Sequence, residues 1–172
     1  MNERQKKKTV VAEETMQLVS FRVGNEEYGL DITAITEVVR PLKITPLPRM
    51  PNFIEGVINL RGVIIPIVDL RKRFALAAST DNRRTMRMMI TRGAVPGARG
   101  TDKLLGLVVD GVNEVIHVPL KDIEPAPEAA TGEQADFMSG MGKVGDRLII
   151  LIDITRVLSQ KERSALAEAD HA

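Results

Sequence analysis

Four groupings of residues in this 172-residue chain have types and spacings that could do chemistry. Gly140, Gly142 and Gly145 spell G-x-G-x-x-G, which cradles a dinucleotide pyrophosphate when it follows a strand and opens a helix. Here a loop precedes it and the strand-like RLIILI follows, so the glycines read as a turn between strands and no cofactor is expected. Asp69 and Asp153 invite comparison with a general acid/base pair. Each stands where a strand passes into a helix, however, and there an aspartate caps free backbone N–H groups. His117, at a strand end, and His171, in the terminal tail, are the only histidines; they read as surface residues and offer neither a relay nor a metal site. Cysteine is absent, which excludes thiolate catalysis, disulfides and cysteine-based zinc or iron–sulfur centres. There is no Walker loop, G-x-S-x-G elbow or H-E-x-x-H, so no catalytic residue and no metal is expected.

The fourth grouping is basic: Arg71, Lys72, Arg73, Arg83 and Arg84 could form a strip for nucleic acid. Small β barrels that hold single strands also need stacking platforms. This chain has one Tyr, no Trp and four Phe, and Phe21, Phe53, Phe74 and Phe137 all lie in apolar contexts that read as core. A small β-barrel nucleic-acid-binding protein is therefore the alternative of a different class, to be tested by salt-sensitive retention of RNA or DNA. With 24 Lys+Arg against 23 Asp+Glu the net charge is +1, so no global field steers the chain to nucleic acid or membrane. A partner must be recognised locally. The acids in TVVAEETMQ, after Lys6 to Lys8, do not suit a signal peptide, and the densest apolar run, Val63 to Val68, has the length of one buried strand and not of a membrane span. The chain is expected to be soluble.

The elements that would position these residues are mostly strands, short and rich in Val, Ile and Leu with Gly or Pro between them. Met16–Val23 and its return through Glu27–Gly29 read as a hairpin around Gly24-Asn25. Asp31 would cap a short helix carrying Ile32, Ile35 and Val39 on one face and ending before Pro41. Gly56–Leu60 and Val63–Asp69 read as strands around a tight Arg61-Gly62 turn, with Pro66 near an edge or bulge. Leu70–Ala78 reads as a helix, Met86–Thr91 as a strand, and Arg92–Asp102 as a loop. Leu104–Val109 and Val112–Val118 read as strands and Asp122–Asp136 as a connector. Leu148–Ile152 reads as a buried strand and Asp153–Ala169 as a terminal helix.

An internal duplication organises these elements. GLDITAITEVVRPLKI from Gly29 matches GLVVDGVNEVIHVPLKDI from Gly106, with Glu37 falling on Glu114, 77 residues later. FIEGV from Phe53 matches FMSGM from Phe137, and Asp69 matches Asp153, both 84 residues later. Two similar β units are expected, each marginal alone and so sharing an apolar seam. The expected divisions are an arm at 1–15, a first subdomain at roughly 16–82, a second at roughly 83–160, and a helix end and tail at 161–172.

The segments GNEEYGLDI, ITEVV, LPRMPNFIEGVINLRGVIIPIVDLRKRF, LLGLVVDGVNEVI and GDRLIILIDITRVL occur in this order across Gln17 to Leu158. Together they resemble the CheW family of bacterial chemotaxis coupling proteins, NLRGVIIPIVDLR being the specific block. The resemblance implies a mainly β fold of two packed five-stranded SH3-like barrels with short helices and a C-terminal helix. It also implies a non-catalytic, cytoplasmic adaptor without cofactor, a monomer in isolation. Such an adaptor joins the cytoplasmic tips of methyl-accepting chemotaxis receptors to the regulatory domain of the histidine kinase CheA, within membrane-associated arrays and without inserting in the membrane. Carried onto this sequence, the receptor-facing groove between the barrels takes Ile35, Glu37, Arg61, Gly62, Met86, Val112 and Val115. Kinase contacts are expected at barrel ends, at Ile44, Leu47 and Val144. Ile35, Val112 and Val115 also suit core positions, and Glu37 and Arg61 could pair with each other.

Overall fold

A computed structural model describes residues 14–76, 83–96, 102–127 and 136–169. The expected first hairpin is β1 (Thr15–Val23) and β2 (Glu26–Asp31), turning at Gly24 with Val23 opposite Glu26. A 3-10 turn at Ile32–Ala34 follows, with the Asp31 carboxylate accepting from the Thr33 N–H at 2.9 Å. The expected helix ends there. Ile35–Val39 is strand β3, whose half-buried positions alternate with exposed ones. Ile35 and Val39 share a face at a spacing of four in a helix and in a strand alike, and the β-branched Ile35, Thr36, Val38 and Val39 favour the strand.

Next come β4 (Ile54–Leu60) and β5 (Val63–Asp69), then α1 (Leu70–Arg73). Pro66 opposes Val57 of β4, while pairing of β5 with its other neighbour begins only at Ile67, so Pro66 is tolerated inside the sheet. The helix expected to Ala78 stops after Arg73: Ala75 has φ +56, and the Leu76 N–H closes back on the Arg71 carbonyl at 2.9 Å. Residues 77 and 78 lie outside the described residues. Strand β6 (Arg87–Pro96) runs past the expected Thr91 into the segment read as a loop, and β7 (Asp102–Val109) begins at its far end. A register shift between Arg92 and Val95, with Gly93 at φ +102, keeps this bulged stretch in the sheet and buries Ala94 and Val95. β8 (Gly111–Pro119) is followed by a 3-10 turn and by β9 (Ile123–Pro125), a strand inside the expected connector. β10 (Met138–Val144) and β11 (Arg147–Ile152) form the last hairpin. The terminal helix is split into a 3-10 turn at Ile154–Arg156 and α2 (Gln160–Ala169). Ser159 and Glu162 close a capping box at its start: the Glu162 N–H donates to Ser159 Oγ at 3.1 Å and the Ser159 N–H to Glu162 Oε1 at 2.8 Å.

The strands form two sheets, ordered β8-β1-β2-β11-β10-β9 and β3-β6-β7-β5-β4. The division near residue 82 separates the repeats but not the sheets. β1 pairs with β8 and β2 with β11 of the second repeat, while β3 pairs with β6 and β5 with β7, and β4 is joined through β5. This exchange places the largest core between the sheets, where Phe21, Tyr28 and Leu30 meet Met89, Leu105 and Leu107. Smaller clusters lie inside each sheet, around Ile58, Ile65 and Ile67 in one and Leu18, Val118 and Ile149 in the other, each drawing residues from both repeats. An aromatic run, Phe21–Tyr28–Phe74–Phe137, has ring centroids 5.9, 5.0 and 4.6 Å apart. Burial, with a smaller push from Glu26, raises the Tyr28 hydroxyl to about 12.

The duplication shows in backbone detail at Gly56 and Gly140, matched positions at register shifts of β4 and β10. A Cβ at Gly56 would collide with the Thr45 carbonyl oxygen, and one at Gly140 would lie 2.6 Å from that of Glu124. Each glycine lets the strand or bridge before it cross the sheet closely. Gly56 also has φ +139, so Gly56→Ala is expected to cost about 2 kcal/mol and more than Gly140→Ala. Urea unfolding of both variants checks the order.

Candidate docking surfaces

The β4–β5 hairpin turns through Arg61 and Gly62 at φ +50 and +87, and the Gly62 N–H donates to Asn59 Oδ1 at 2.8 Å. Two successive positive φ values match the right-handed twist of a hairpin, and Asn or Gly suits them best. In the second repeat the equivalent turn carries Gly145, at φ +60. Arg61 therefore sits in a conformation that disfavours it by roughly 1 kcal/mol. Turn geometry does not explain an arginine here. Its side chain is 70% exposed and pairs with Glu37 of β3. Ile35 and Glu37 thus stand on a strand and not on the expected helical turn.

The seam between the subdomains is filled by its own core, so it is not an open cleft and only its rim is open to a partner. Ile35 on β3 and Val112 on β8 reach that rim from opposite sheets, both half-buried against the shared core. Val115 is 49% exposed on β8, opposite Val19. Met86 packs on the cluster inside the second sheet.

The other subdomain has a matching link. Arg147, at the start of β11, pairs with Glu27 of β2 and, at 2.7 Å, with Glu114 of β8. Glu114 is the repeat mate of Glu37, so in both halves this glutamate is joined to an arginine of the hairpin that follows. The Arg147 hydrogen bond holds the Glu27 carboxyl below its usual 4.5, against the opposing effect of burial. The resulting stabilisation is present at neutral pH and disappears as pH falls below 4.5 through the lower folded-state value. In Arg147→Met the Glu27 titration is expected to move up and acid unfolding to begin at higher pH. Carboxyl-carbon NMR titration reads this, and an unmoved Glu27 midpoint would contradict it.

Exposed large hydrophobics also recur by repeat. Val38 (40%) matches Val115, Leu42 (38%) matches Leu120 (43%), and Ile64 (54%) matches Leu148 (51%). Val63 (51%) stands outside this pattern, its mate being Arg147, and the other six fall on matched positions of two diverged halves. Of the residues expected at barrel ends, Ile44 and Val144 are half-buried against the two smaller clusters and Leu47 is half-buried. Val63, Ile64 and Leu148 are the large apolar side chains that the hairpin ends present to solvent, Ile64 and Leu148 at matched positions. Read as parts of apolar strands they looked like core; aligning the repeats and following the alternation from buried Ile65 and Ile149 would have shown both facing out.

Residues 17–162 match the profile of the CheW-like domain family. The chain belongs to the CheW-like family. It is 38% identical to the chemotaxis protein CheW of Klebsiella aerogenes over 146 residues, 85% of this chain and 83% of the relative. To CheW of Treponema pallidum it is 35% identical over 157 residues, 91% and 90% of the two chains. The crystal structure of the scaffolding protein TtCheW from Thermoanaerobacter tengcongensis superposes with a TM-score of 0.74 at 37% identity, covering 87% of this chain and 96% of that one. The mainly β fold of two packed subdomains and a chemotaxis scaffold identity follow.

In this CheW-like chain the residues that could have suggested catalysis hold structure. Asp69 caps α1 through the Arg71 N–H and Asp153 caps its 3-10 turn through the Thr155 N–H, both at 2.9 Å. Gly140 and Gly142 lie in β10 and Gly145 in the β10–β11 turn. His117 is exposed, 2.7 Å from the Gln17 amide nitrogen, and His171 lies outside the described residues. Three members of the basic strip are committed internally: Arg71 to Asp69 and Asp110, Lys72 to Glu55, and buried Arg73 to the Val157 carbonyl. Among the described residues no helix is long and apolar enough to cross a membrane, and no cluster of His, Asp and Glu could hold a metal.

Proposed function

We propose that this CheW-like protein is a non-catalytic cytoplasmic adaptor that joins methyl-accepting chemotaxis receptors to the histidine kinase CheA within membrane-associated arrays. The observation that carries this reading is the recurrence of exposed apolar side chains at repeat-matched positions, which gives a small monomer two similar ends. In an array, each end meets an end of the homologous CheA regulatory domain. Ile64 and Leu148, with the neighbouring Ile44, Leu47 and Val144, form those contacts. The seam rim, with Ile35, Glu37, Arg61, Gly62, Val112, Val115 and, more remotely, Met86, faces the receptor's helical hairpin. Apolar residues supply buried area, and Glu37 and Arg61 fix register by charge.

Reconstitution tests the whole reading: added to CheA and receptor membranes, the protein is expected to stimulate kinase autophosphorylation, and attractant to switch that stimulation off. Equal autophosphorylation with and without the protein would reject it. Ile64→Asp and Leu148→Asp, each at an exposed position, are expected to leave folding intact and weaken CheA binding about tenfold apiece. Calorimetric titration with CheA is the measurement.

A further inference from the structure

At one mouth of the seam three arginines, Arg22, Arg84 and Arg87, line a cavity of about 260 Å³ together with Thr85, Gly111, Val112 and Asn113. Arg22, Val112 and Asn113 belong to β1 and β8 of one sheet, whereas Arg84, Thr85 and Arg87 lead into β6 of the other. The cavity therefore straddles the subdomains.

The guanidinium groups of Arg22 and Arg87 are held in place but not neutralised, and that of Arg84 is exposed. Arg22 Nη2 donates to the Asp110 carbonyl at 3.4 Å and to the Thr85 hydroxyl at 3.5 Å. Arg87 Nη1 donates to the carbonyls of Arg84 at 3.1 Å and Met86 at 2.7 Å. These carbonyls are neutral. The nearby Asp110 carboxylate is engaged elsewhere, accepting from the Gly24 N–H at 2.7 Å and lying 3.5 Å from Arg71 Nη1. Among the described residues no carboxylate pairs with Arg22, Arg84 or Arg87, whereas Arg61, Arg71, Arg147 and Arg156 each pair with one. In a chain of net charge +1, three uncompensated arginines around one opening form a local anion site, suited by their planar donors to a carboxylate.

We infer that this cavity takes an acidic side chain, glutamate or aspartate, of the helical partner that docks along the seam rim. The inference rests on the receptor-facing reading above. It is favoured over a free anion because the cavity wall includes Val112, itself at the rim, so a carboxylate entering here stays in contact with the partner's apolar face. Glu37 and Arg61, paired with each other, can set register as a local dipole, and these arginines add net positive charge for orienting a partner.

The test compares the parent, Arg84→Gln/Arg87→Gln and Arg61→Glu in co-sedimentation with chemoreceptor membranes, from about 50 to about 500 mM NaCl, with CheA binding measured alongside. The double variant is expected to lose about tenfold or more in receptor affinity at low salt, to differ little from the parent at high salt, and to bind CheA unchanged. Should the double variant refold poorly, the exposed single Arg84→Gln carries the same comparison. Parental binding by the arginine variants at every salt, with Arg61→Glu defective, would overturn the carboxylate site and leave the receptor reading standing. Parental binding by Arg61→Glu as well would reject the receptor reading itself. Inorganic phosphate supplies the last arm: saturation of the arginine side-chain NMR signals at submillimolar phosphate, without loss of receptor binding when phosphate is present, would make this a free-anion site and overturn the proposal.

Discussion

Arg61→Glu is expected to abolish co-sedimentation with receptor membranes while leaving the protein folded to within about 1 kcal/mol of the parent. The stability term is small because the Arg61 side chain is 70% exposed. The substitution removes one solvent-screened ion pair and sets a glutamate beside Glu37. On the receptor-facing reading the functional term is large, because the reversal turns a cation paired with Glu37 into a second negative charge beside it. Arg61→Gly separates charge from backbone. Glycine is at ease at φ +50, so it regains roughly the 1 kcal/mol that arginine forfeits there and offsets the lost pair. If the Arg61→Gly variant is as stable as the parent but defective in receptor binding, the guanidinium itself is read by the partner. Full binding by both variants would remove Arg61 from the surface.

The duplication was legible because it lies in residue identities. Glu37 and Glu114, Phe53 and Phe137, and Asp69 and Asp153 matched without knowledge of the fold, and the hairpins at Gly24, Arg61-Gly62 and Gly145 followed from turn chemistry. Strand exchange between the repeats was not legible. Pairing of β1 with β8 and of β3 with β6 depends on long-range register, which no local pattern encodes. The same gap bears on the segment of Ile35 and Glu37: the four-residue spacing of Ile35 and Val39 suits a helix and a strand alike, its β-branched residues favour the strand, and pairing with β6 fixes it. The loop expected at Arg92–Asp102 failed over Arg92–Pro96 for a local reason, residues 97–101 lying outside the described residues. Gly93 and Pro96 punctuate a bulged hairpin, and in sequence a bulge and a loop share the same residues. The arginine cavity escaped because Arg22 and Arg84 are 62 residues apart and meet only once the sheets pack.

Replacing Arg73 by alanine is expected to cost about 4 kcal/mol, since breaking a buried, paired charge leaves its partners stranded. Arg73 Nε donates to the Val157 carbonyl at 3.0 Å and Nη2 lies 3.9 Å from the Glu162 carboxylate. The guanidinium carbon stands 5.3 Å from the centre of the Phe53 ring and 5.5 Å from that of Phe137. Those two phenylalanines are repeat mates, and the spacing that matches them also matches Arg73 to Val157. One side chain thus fastens the two halves at the place where they are related to each other. Arg73→Lys keeps the charge but loses the planar face between the rings and the fixed Nε donor, and is expected to cost about 2 kcal/mol. Urea unfolding measures both, and a loss below about 1 kcal/mol for alanine would refute this role. The functional pattern follows from position. Arg61 touches one surface, so its loss should spare CheA binding. Arg73 sets how the two subdomains sit against each other, so weakening it should degrade receptor and kinase binding together, in proportion to the fraction unfolded.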